Sequence, residues 1–456
     1  MKAGYYNAMP GIGKERVMNG HEIYGWGRYT VITAEVHAPK VVSAMGGLLR
    51  DAAGSSILAR GLARSYGDSS LNDRVIETRY LDKFIAFDPQ TGVLTSQAGT
   101  ALAGILEVFV PKGWFLPVTP GTRFITLGGA VASDVHGKNH HVSGCFCEHV
   151  ERLEVMVCPD RVVTCSREQE PELFYATCGG MGLTGVILTV SLRLKPVTSA
   201  FIDQQTFKAR NLAHSLELFE QNSRSTYSVA WIDCVATGQH LGRSLVMTGE
   251  HAADNKLDLP VKKSLAVPFD MPPGMLNIHS VSLFNTLYYN RVRGDMVRKR
   301  VHYEPFFYPL DGVLQWNRLY GKNGFTQYQF VIPKSAGLRG MSGILQEITK
   351  SGKGSFLAVL KVFGQENPNH LSFPMEGYTL ALDFKIEKDL FPLLERLDAM
   401  VLDLGGRVYL TKDVRMSAAT FARSYRKIDL FQSVRERYGV NGVFASLQSR
   451  RLGLDL

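Results

Sequence analysis

The chain has 456 residues, 45% hydrophobic and 20% charged, with 51 Lys and Arg against 42 Asp and Glu for a net charge of +9. This composition excludes a disordered or fibrous chain and asks for two or three globular domains. The basic excess is spread thinly, with no Lys/Arg arm and no zinc-finger spacing, so it points to a phosphate-bearing ligand or an anionic membrane surface and argues against nucleic acid.

MKAGYYNAMPGIGKERV, at the start, lacks the apolar core of a signal peptide, and no window of 18 apolar residues occurs. From about 30 to 195 the pattern is β-rich. SSILARGLARSYGD (55–68) reads as a strand opening into a glycine-punctuated loop. Residues 81–100 read as two strands joined by the turn Asp88-Pro89-Gln90-Thr91-Gly92. Residues 101–113 have helical apolar spacing and stop at Pro111 and Gly113. A hairpin turning at Pro159-Asp160 spans 150–166. Residues 171–196 begin as a helix, break at Gly179-Gly180 and end in a strand, with Pro196 as a domain boundary.

From 200 to 405 the pattern is α+β. A helix over 211–222 and strands over 227–236, 326–333, 355–364 and 378–386, with a helix over 336–350, predict an antiparallel sheet with helices on one side. Residues 251–304 mix prolines, lysines and apolar residues without a clean period, as a lid or a plain insertion does. GGRVYLTKD (405–413) reads as a glycine turn, a strand and a charged end, followed by a short helical tail. Six cysteines (Cys145, Cys147, Cys158, Cys165, Cys178 and Cys234), with no CxxC pair, read as scattered reduced thiols. A cytoplasmic protein, able to sit against the inner face of the plasma membrane, is the expectation.

GTRFITLGGAVASDVHGKNHH (121–141) is the richest stretch. His136 and His140 could share a helix face as metal ligands, but Gly137 weakens that helix and no acidic residue follows His136. Gly121, Gly128 and Gly129 instead allow backbone N–H groups to approach an anion. A second glycine loop, Gly61–Gly67, precedes them and a third, 179–185, follows. None opens a helix as G-x-G-x-x-G, so a Rossmann fingerprint is absent. Together the three loops suggest one large phosphate-bearing cofactor.

ARGLARSYGDSS (59–70), PGTRFITLGGAVASDVHGKNHH (120–141) and GGMGLTGVI (179–187), in this order, resemble the FAD-binding domain of vanillyl-alcohol-oxidase-type flavoproteins. Within that family the closer resemblance, continuing through TQYQFVIP, SFLAVLKVFG, LSFP, GYTLALDF and GGRVYLTKD, is to flavin-dependent oxidases of polyprenylphosphoryl sugars, the oxidising half of an epimerase of cell-wall arabinose-donor synthesis. The resemblance implies a two-domain α+β flavoprotein, with a PCMH-type FAD-binding domain over 1–198, joined by 406–456, and a substrate domain over 199–405. It implies non-covalent FAD, because Arg64 stands where many relatives carry the histidine that bonds the flavin. The run Ala59-Arg60-Gly61-Leu62-Ala63-Arg64-Ser65-Tyr66-Gly67-Asp68-Ser69 would wrap the pyrophosphate and flavin edge. Gly121, Thr126, Leu127, Gly128 and Gly129 would line the adenine-diphosphate channel, with Gly182, Gly185 and Val186 at the adenosine end. Ser133, His136, Gly137, Tyr409 and Lys412 would approach the flavin, whose reduced form a cation such as Lys412 stabilises.

On the substrate side the resemblance implies Tyr66, Lys138, Gln329 and Lys361, a lysine pair being suited to a phosphodiester. Gln329 reads equally as an ordinary strand residue. Ala381 and Thr379 stand where relatives have a pocket cysteine and an asparagine, so thiol-capturing inhibitors are expected to fail. The implied reaction is hydride transfer from a sugar carbinol to flavin N5, most directly the 2-hydroxyl of a polyprenylphosphoryl ribose. Tyr66, His136 and Lys412 are the candidate bases, and a separate short-chain NAD(P)H-dependent reductase would complete the epimerisation. The lipid substrate fits a membrane-resting role for 251–304. The rival readings are an oxidase of a soluble alditol or aldonolactone, a flavin-binding scaffold or sensor, and a cofactor-free nucleic-acid binder.

Overall fold

A computed structural model describes residues 18–259, 265–272 and 274–455; the leader-peptide expectation lies outside them, as do 260–264 and 273 of the 251–304 segment. Three sheets carry the architecture. The first, four-stranded, runs in the order Met18–Ile23, Ile32–His37, Arg74–Glu77, Leu58–Arg60, and its last two pairings are parallel. Next to Leu58–Arg60 the chain leaves the sheet directly into the first glycine loop.

A second sheet of five antiparallel strands runs Phe84–Asp88, Val93–Gln97, Val186–Arg193, Val150–Cys158, Arg161–Cys165. Both of its hairpins turn where turn-forming residues predict. Helices Leu102–Phe109 and Leu127–Ala132 cover it with an apolar core that includes Leu94, Leu102, Ile105, Leu127 and Val190. The first helix ends in a short 3-10 turn and left-handed Gly113 (φ 81°), as the Pro-Lys-Gly stop dictates.

The third sheet has eight antiparallel strands: Met296–His302, Phe201–Ala209, Ser244–His251, Tyr227–Ile232, Ala358–Phe363, Gly377–Lys385, Phe325–Pro333 and Arg407–Val408. Because side chains alternate across a strand, its two faces are distinct. Tyr328, Phe330, Ile332, Leu380 and Leu382 point into a core shared with helices Leu212–Gln221, Gly337–Lys350 and Leu390–Asp403. Their odd-numbered neighbours face the other way. The expected antiparallel sheet with helices on one side is what forms.

Three stretches differ from expectation. The strand expected over 405–413 is only Arg407–Val408; the chain then bends into a 3-10 turn, Leu410–Lys412. The short helical tail is three helices, Ala418–Ser424, Ile428–Arg437 and Leu447–Arg451, and it returns to the first sheet, with Leu447 N–H donating to Leu71 O at 2.8 Å. Within 251–304 lie a 13-residue helix, Ile278–Asn290, and the edge strand Met296–His302. Neither shows a period, because the helix buries only Val281 and Asn285 and the strand, MVRKRVH, is basic and largely exposed.

Candidate functional site

The cavity-side face of the eight-stranded sheet, the first glycine loop and the 121–138 segment enclose a cavity of about 790 Å³. Its floor follows strand register. Gln329 pairs across from Ala381, which pairs with Val359; Gln327 pairs with Asp383, and Lys361 with Thr379. Alternation therefore turns one polar stripe of three otherwise apolar strands onto the cavity side.

Ala59 to Tyr66 and Ser69 line the wall. Among the described residues, none of the five consecutive N–H groups of Gly61 to Ser65 donates to a protein acceptor, although those residues are only partly exposed. Ala63 takes a left-handed conformation (φ 51°) that curves the loop. Gly61 is packed so closely that a Cβ there would sit 2.3 Å from Thr126 Oγ1. That hydroxyl caps helix Leu127–Ala132 by accepting from Gly129 N. Arg60 and Arg79, also on the wall, each carry a buried Nε without a partner. Free amides, glycine-thin walls and unpartnered guanidinium nitrogens suit a dianionic diphosphate, so the residues present fit FAD. Arg64 lays its guanidinium 4.3 Å from the Trp26 ring centroid.

Gly121, Thr126, Gly128, Gly129, Ser133, His136, Gly137, Gly182, Gly185, Tyr409 and Lys412 also line the cavity, as do Lys138, Gln329, Lys361 and Ala381. Five residues singled out in the sequence stand behind the wall. Leu127 and Val186 are core side chains. Thr379 lies under Gln329, at 3.3 Å, and donates to Phe330 O. Gly67 passes against the chain at Asp413, where a Cβ would lie 2.0 Å from the carbonyl oxygen. Asp68 is paired with Arg451 (2.8 Å).

The 3-10 turn delivers Lys412. Tyr66 N–H donates to Thr411 O (3.1 Å), locking the glycine loop to this turn, and Lys412 Nζ sits 4.0 Å from the Tyr66 ring centroid. Lys361 Nζ lies 3.1 Å from His136 Nδ1, and the Gln329 amide 3.1 Å from His136 Nε2. Lys138 donates to Phe306 O and lies over the Phe306 ring. Burial pushes Lys138 and Lys361 down to about 7, with the charges of Lys138 and Lys412 adding to the effect on Lys361. Burial takes Lys412 down to about 8, against an opposing pull from Asp383. Burial, then Lys361, holds His136 well below the ordinary histidine range, and burial raises Tyr66 well above the ordinary phenol range. Lys361 thus feels the charge of both other lysines, a repulsion that an anion bound among them would relieve.

Sequence reasoning missed Gln327, Asp383 and Tyr320. Gln327 Nε2 donates to Asp383 Oδ1 at 2.6 Å and lies 3.5 Å from the Tyr66 hydroxyl, while Tyr320 donates to Asp383 Oδ2 at 3.2 Å. Polar residues on one face of apolar strands, Gln327 and Gln329 two apart and Thr379 and Asp383 four apart, were the available signal.

A cradle of this kind, in a cavity lined by Lys138, Lys361 and Lys412, defines an FAD-binding oxidoreductase of the vanillyl-alcohol-oxidase type, and the FAD binding domain family model matches residues 33–166. The decaprenylphosphoryl-β-D-ribose oxidase of Mycolicibacterium smegmatis is 35% identical over 449 residues, 95% of this chain and 97% of that protein. An uncharacterised Streptomyces coelicolor protein, encoded in the 5′ region of mprA, is 32% identical over 77% of this chain and 99% of its own length. A D-arabinono-1,4-lactone oxidase of Yarrowia lipolytica matches only 31% of the chain, at 26% identity. The chain belongs to the decaprenylphosphoryl-β-D-ribose oxidase family. It is an FAD-dependent oxidoreductase.

Proposed function

We propose that the protein oxidises the 2-hydroxyl of a polyprenylphosphoryl ribose to a ketone, with FAD held non-covalently. The observation that carries this reading is the lysine cluster Lys138, Lys361 and Lys412 opening onto the same cavity as the amide-lined loop. The free amides of that loop, with Arg60 and Arg79, serve the cofactor's diphosphate, while Lys138 and Lys361 serve a second anion, the substrate's phosphate. When bound, FAD supplies the two-electron hydride acceptor.

The chain's own task is to hold the sugar and take the hydroxyl proton as the carbinol C–H hydride leaves. Tyr66, raised by burial, already holds its proton at neutral pH. Both nitrogens of His136 are engaged by Lys361 and Gln329. Lys412, brought down to about 8, is the group that can accept the proton and finish as an ammonium. Lys138 and Lys361 bind the phosphate; Gln329, resting on Thr379, and Ala381 shape the floor beneath the sugar.

The division of labour we assign is residues 1–198 and 406–456 to the flavin and 199–405 to the substrate. Arg64, held against Trp26, supports non-covalent attachment. The ketone calls for a separate NAD(P)H-dependent short-chain reductase to deliver hydride to the opposite face. Contact with the inner face of the membrane falls to 265–300. Leu265, Leu283 and Leu287 are 73%, 63% and 65% exposed there, beside exposed Arg291, Arg293, Arg298 and Lys299, and Ala266 and Tyr288 of the same segment line the cavity. Among the described residues no helix is long and apolar enough to cross a membrane.

The test compares initial rates, with an artificial electron acceptor, for a polyprenylphosphoryl ribose and for soluble alditols and aldonolactones. Faster turnover of the lipid sugar to its 2-keto product supports the reading. Faster turnover of a soluble alditol or aldonolactone replaces it with the soluble-sugar oxidase reading.

A further inference from the structure

Asp383 is a buried carboxylate on the cavity-side face of strand Gly377–Lys385, 1% exposed. No ion pair at salt-bridge distance is formed by it among the described residues. Its acceptors are served by neutral donors from two elements: Gln327 Nε2 at 2.6 Å from strand Phe325–Pro333, and Tyr320 Oη at 3.2 Å from the 3-10 turn Trp316–Tyr320. Its backbone N–H donates to Ser355 Oγ at 3.2 Å. The ionisable groups whose fields reach this network are Lys412 on the turn Leu410–Lys412, Tyr66 with Arg64 in the glycine loop, and Cys234 behind Tyr320. Lys412 is thus the cation whose field Asp383 feels directly.

A buried carboxylate with no cation at contact distance costs stability, which its neutral hydrogen-bond donors offset only in part. The bonds describe its reach. Through the Gln327 amide, which also lies 3.5 Å from the Tyr66 hydroxyl, it is connected to the ring over which Lys412 Nζ is poised. Its negative charge favours the ammonium form of Lys412, opposing the burial that favours the neutral amine.

We propose that Asp383 is the positioning residue of the oxidation. Through Gln327 it fixes the Tyr66 hydroxyl beneath Lys412, and its charge makes Lys412 a strong enough base to take the substrate's hydroxyl proton. This rests on the assignment of Lys412 as proton acceptor. The balance of the step is simple: the O–H bond breaks and its proton joins the Lys412 amine, the C–H bond gives up hydride to the flavin, and a C=O bond forms. Asp383 stays ionised throughout and gains an ammonium neighbour as the step proceeds. Burial raises its own pKa to about 7, so both the carboxylate and the lysine change charge in the range where the enzyme would work.

The test compares the wild type with Asp383→Asn, Asp383→Glu and Gln327→Leu, all as flavin-loaded protein. Two quantities are read between pH 5 and 9: the rate of anaerobic flavin reduction by polyprenylphosphoryl ribose, and the melting temperature. Without the carboxylate, the Asn variant should reduce its flavin at least ~10-fold more slowly at pH 7.5. The inflection near pH 7 should vanish, and the Lys412 inflection near 8 should move to lower pH. The Glu variant should recover part of the rate, and Gln327→Leu should slow the reaction and move the inflection near 7 to higher pH, because the Gln327 hydrogen bond favours the ionised Asp383. The melting temperatures give a readout independent of activity. A carboxylate whose folded pKa is raised destabilises the protein increasingly as pH climbs from the unfolded value, about 4, to about 7, so the Asn variant should gain on the wild type across that window. An unchanged pH profile with a wild-type rate in Asp383→Asn overturns the proposal, as does a melting difference that is flat with pH. If no sugar reduces the wild-type flavin, the functional reading fails while the melting profile still decides the state of Asp383.

Discussion

Replacing Arg451 with Met tests how the C-terminal helix Leu447–Arg451 holds the flavin loop in place. Arg451 binds Asp68 through a fork, Nε at 3.0 Å and Nη2 at 2.8 Å, and reaches Asp413 with Nη2 at 2.8 Å. The side chains of Asp68 and Asp413 are 7% and 2% exposed, and that of Arg451 24%. Asp413 keeps Arg415, whose positive charge also favours the ionised carboxyl, and the backbone N–H groups of Arg415 and Met416. Asp68 has no comparable reserve; burial already raises its pKa, and Arg451 is the side chain that opposes the rise. Removing one partner of a buried pair costs about 3–5 kcal/mol. At ~2.1 cal/mol/K of unfolding entropy per residue, the 456 residues give roughly 1 kcal/mol/K, so melting should fall by about 3–5 °C. Because Asp68 borders Tyr66 and the glycine loop, flavin should be released below the melting point of the protein. Tryptophan and flavin fluorescence followed in one thermal scan measure both. Adding Asp68→Asn to Arg451→Met should restore part of the loss by removing the orphaned charge. A melting point within 1 °C of wild type, with unchanged flavin release, would refute the reasoning.

Gly61→Ala should push Thr126 off its cap, costing about 1 kcal/mol, and weaken FAD retention, read by equilibrium dialysis; full retention would show that the loop yields. Lys412→Ala should remove at least ~99% of turnover, an effect expected of a positioned proton acceptor, whereas wild-type turnover would remove its role. The affinity for a phosphate-bearing substrate analogue should fall as pH rises from 6 to 9, because the buried lysines, brought down to about 7 and 8, lose charge through that window; calorimetric titration checks it, and a flat profile contradicts it. Ala381→Cys should create a cavity thiol that iodoacetamide modifies faster than buried Cys145 or Cys147, as peptide mass spectrometry would show. Among the described residues the wild-type cavity wall carries no cysteine.

The glycine loops and the antiparallel sheet were legible because their signals are local. A run such as ARGLARSYGD has few ways to pack beside a strand end, and Asp88 to Gly92 can hardly avoid turning. Lys412 was singled out by likeness, but its setting was not readable: a two-residue strand and a 3-10 turn carry no periodicity, and what fixes them is pairing with Phe330 and Val331 across the sheet. Asp383 and Gln327 escaped notice because polar residues scattered in a strand do not by themselves mark a site, and only register shows these two facing each other. The helix Ile278–Asn290 escaped because Leu283 and Leu287 face outward, which erases the one-sided apolar stripe that marks a helix packed on a core.

The proposed function requires that this cavity hold a flavin which a polyprenyl-linked ribose reduces. An anaerobic absorbance titration tests it most directly. A yellow protein is expected, whose band near ~450 nm bleaches stoichiometrically as polyprenylphosphoryl ribose is added and persists with soluble alditols. A band that the lipid sugar leaves untouched would contradict it.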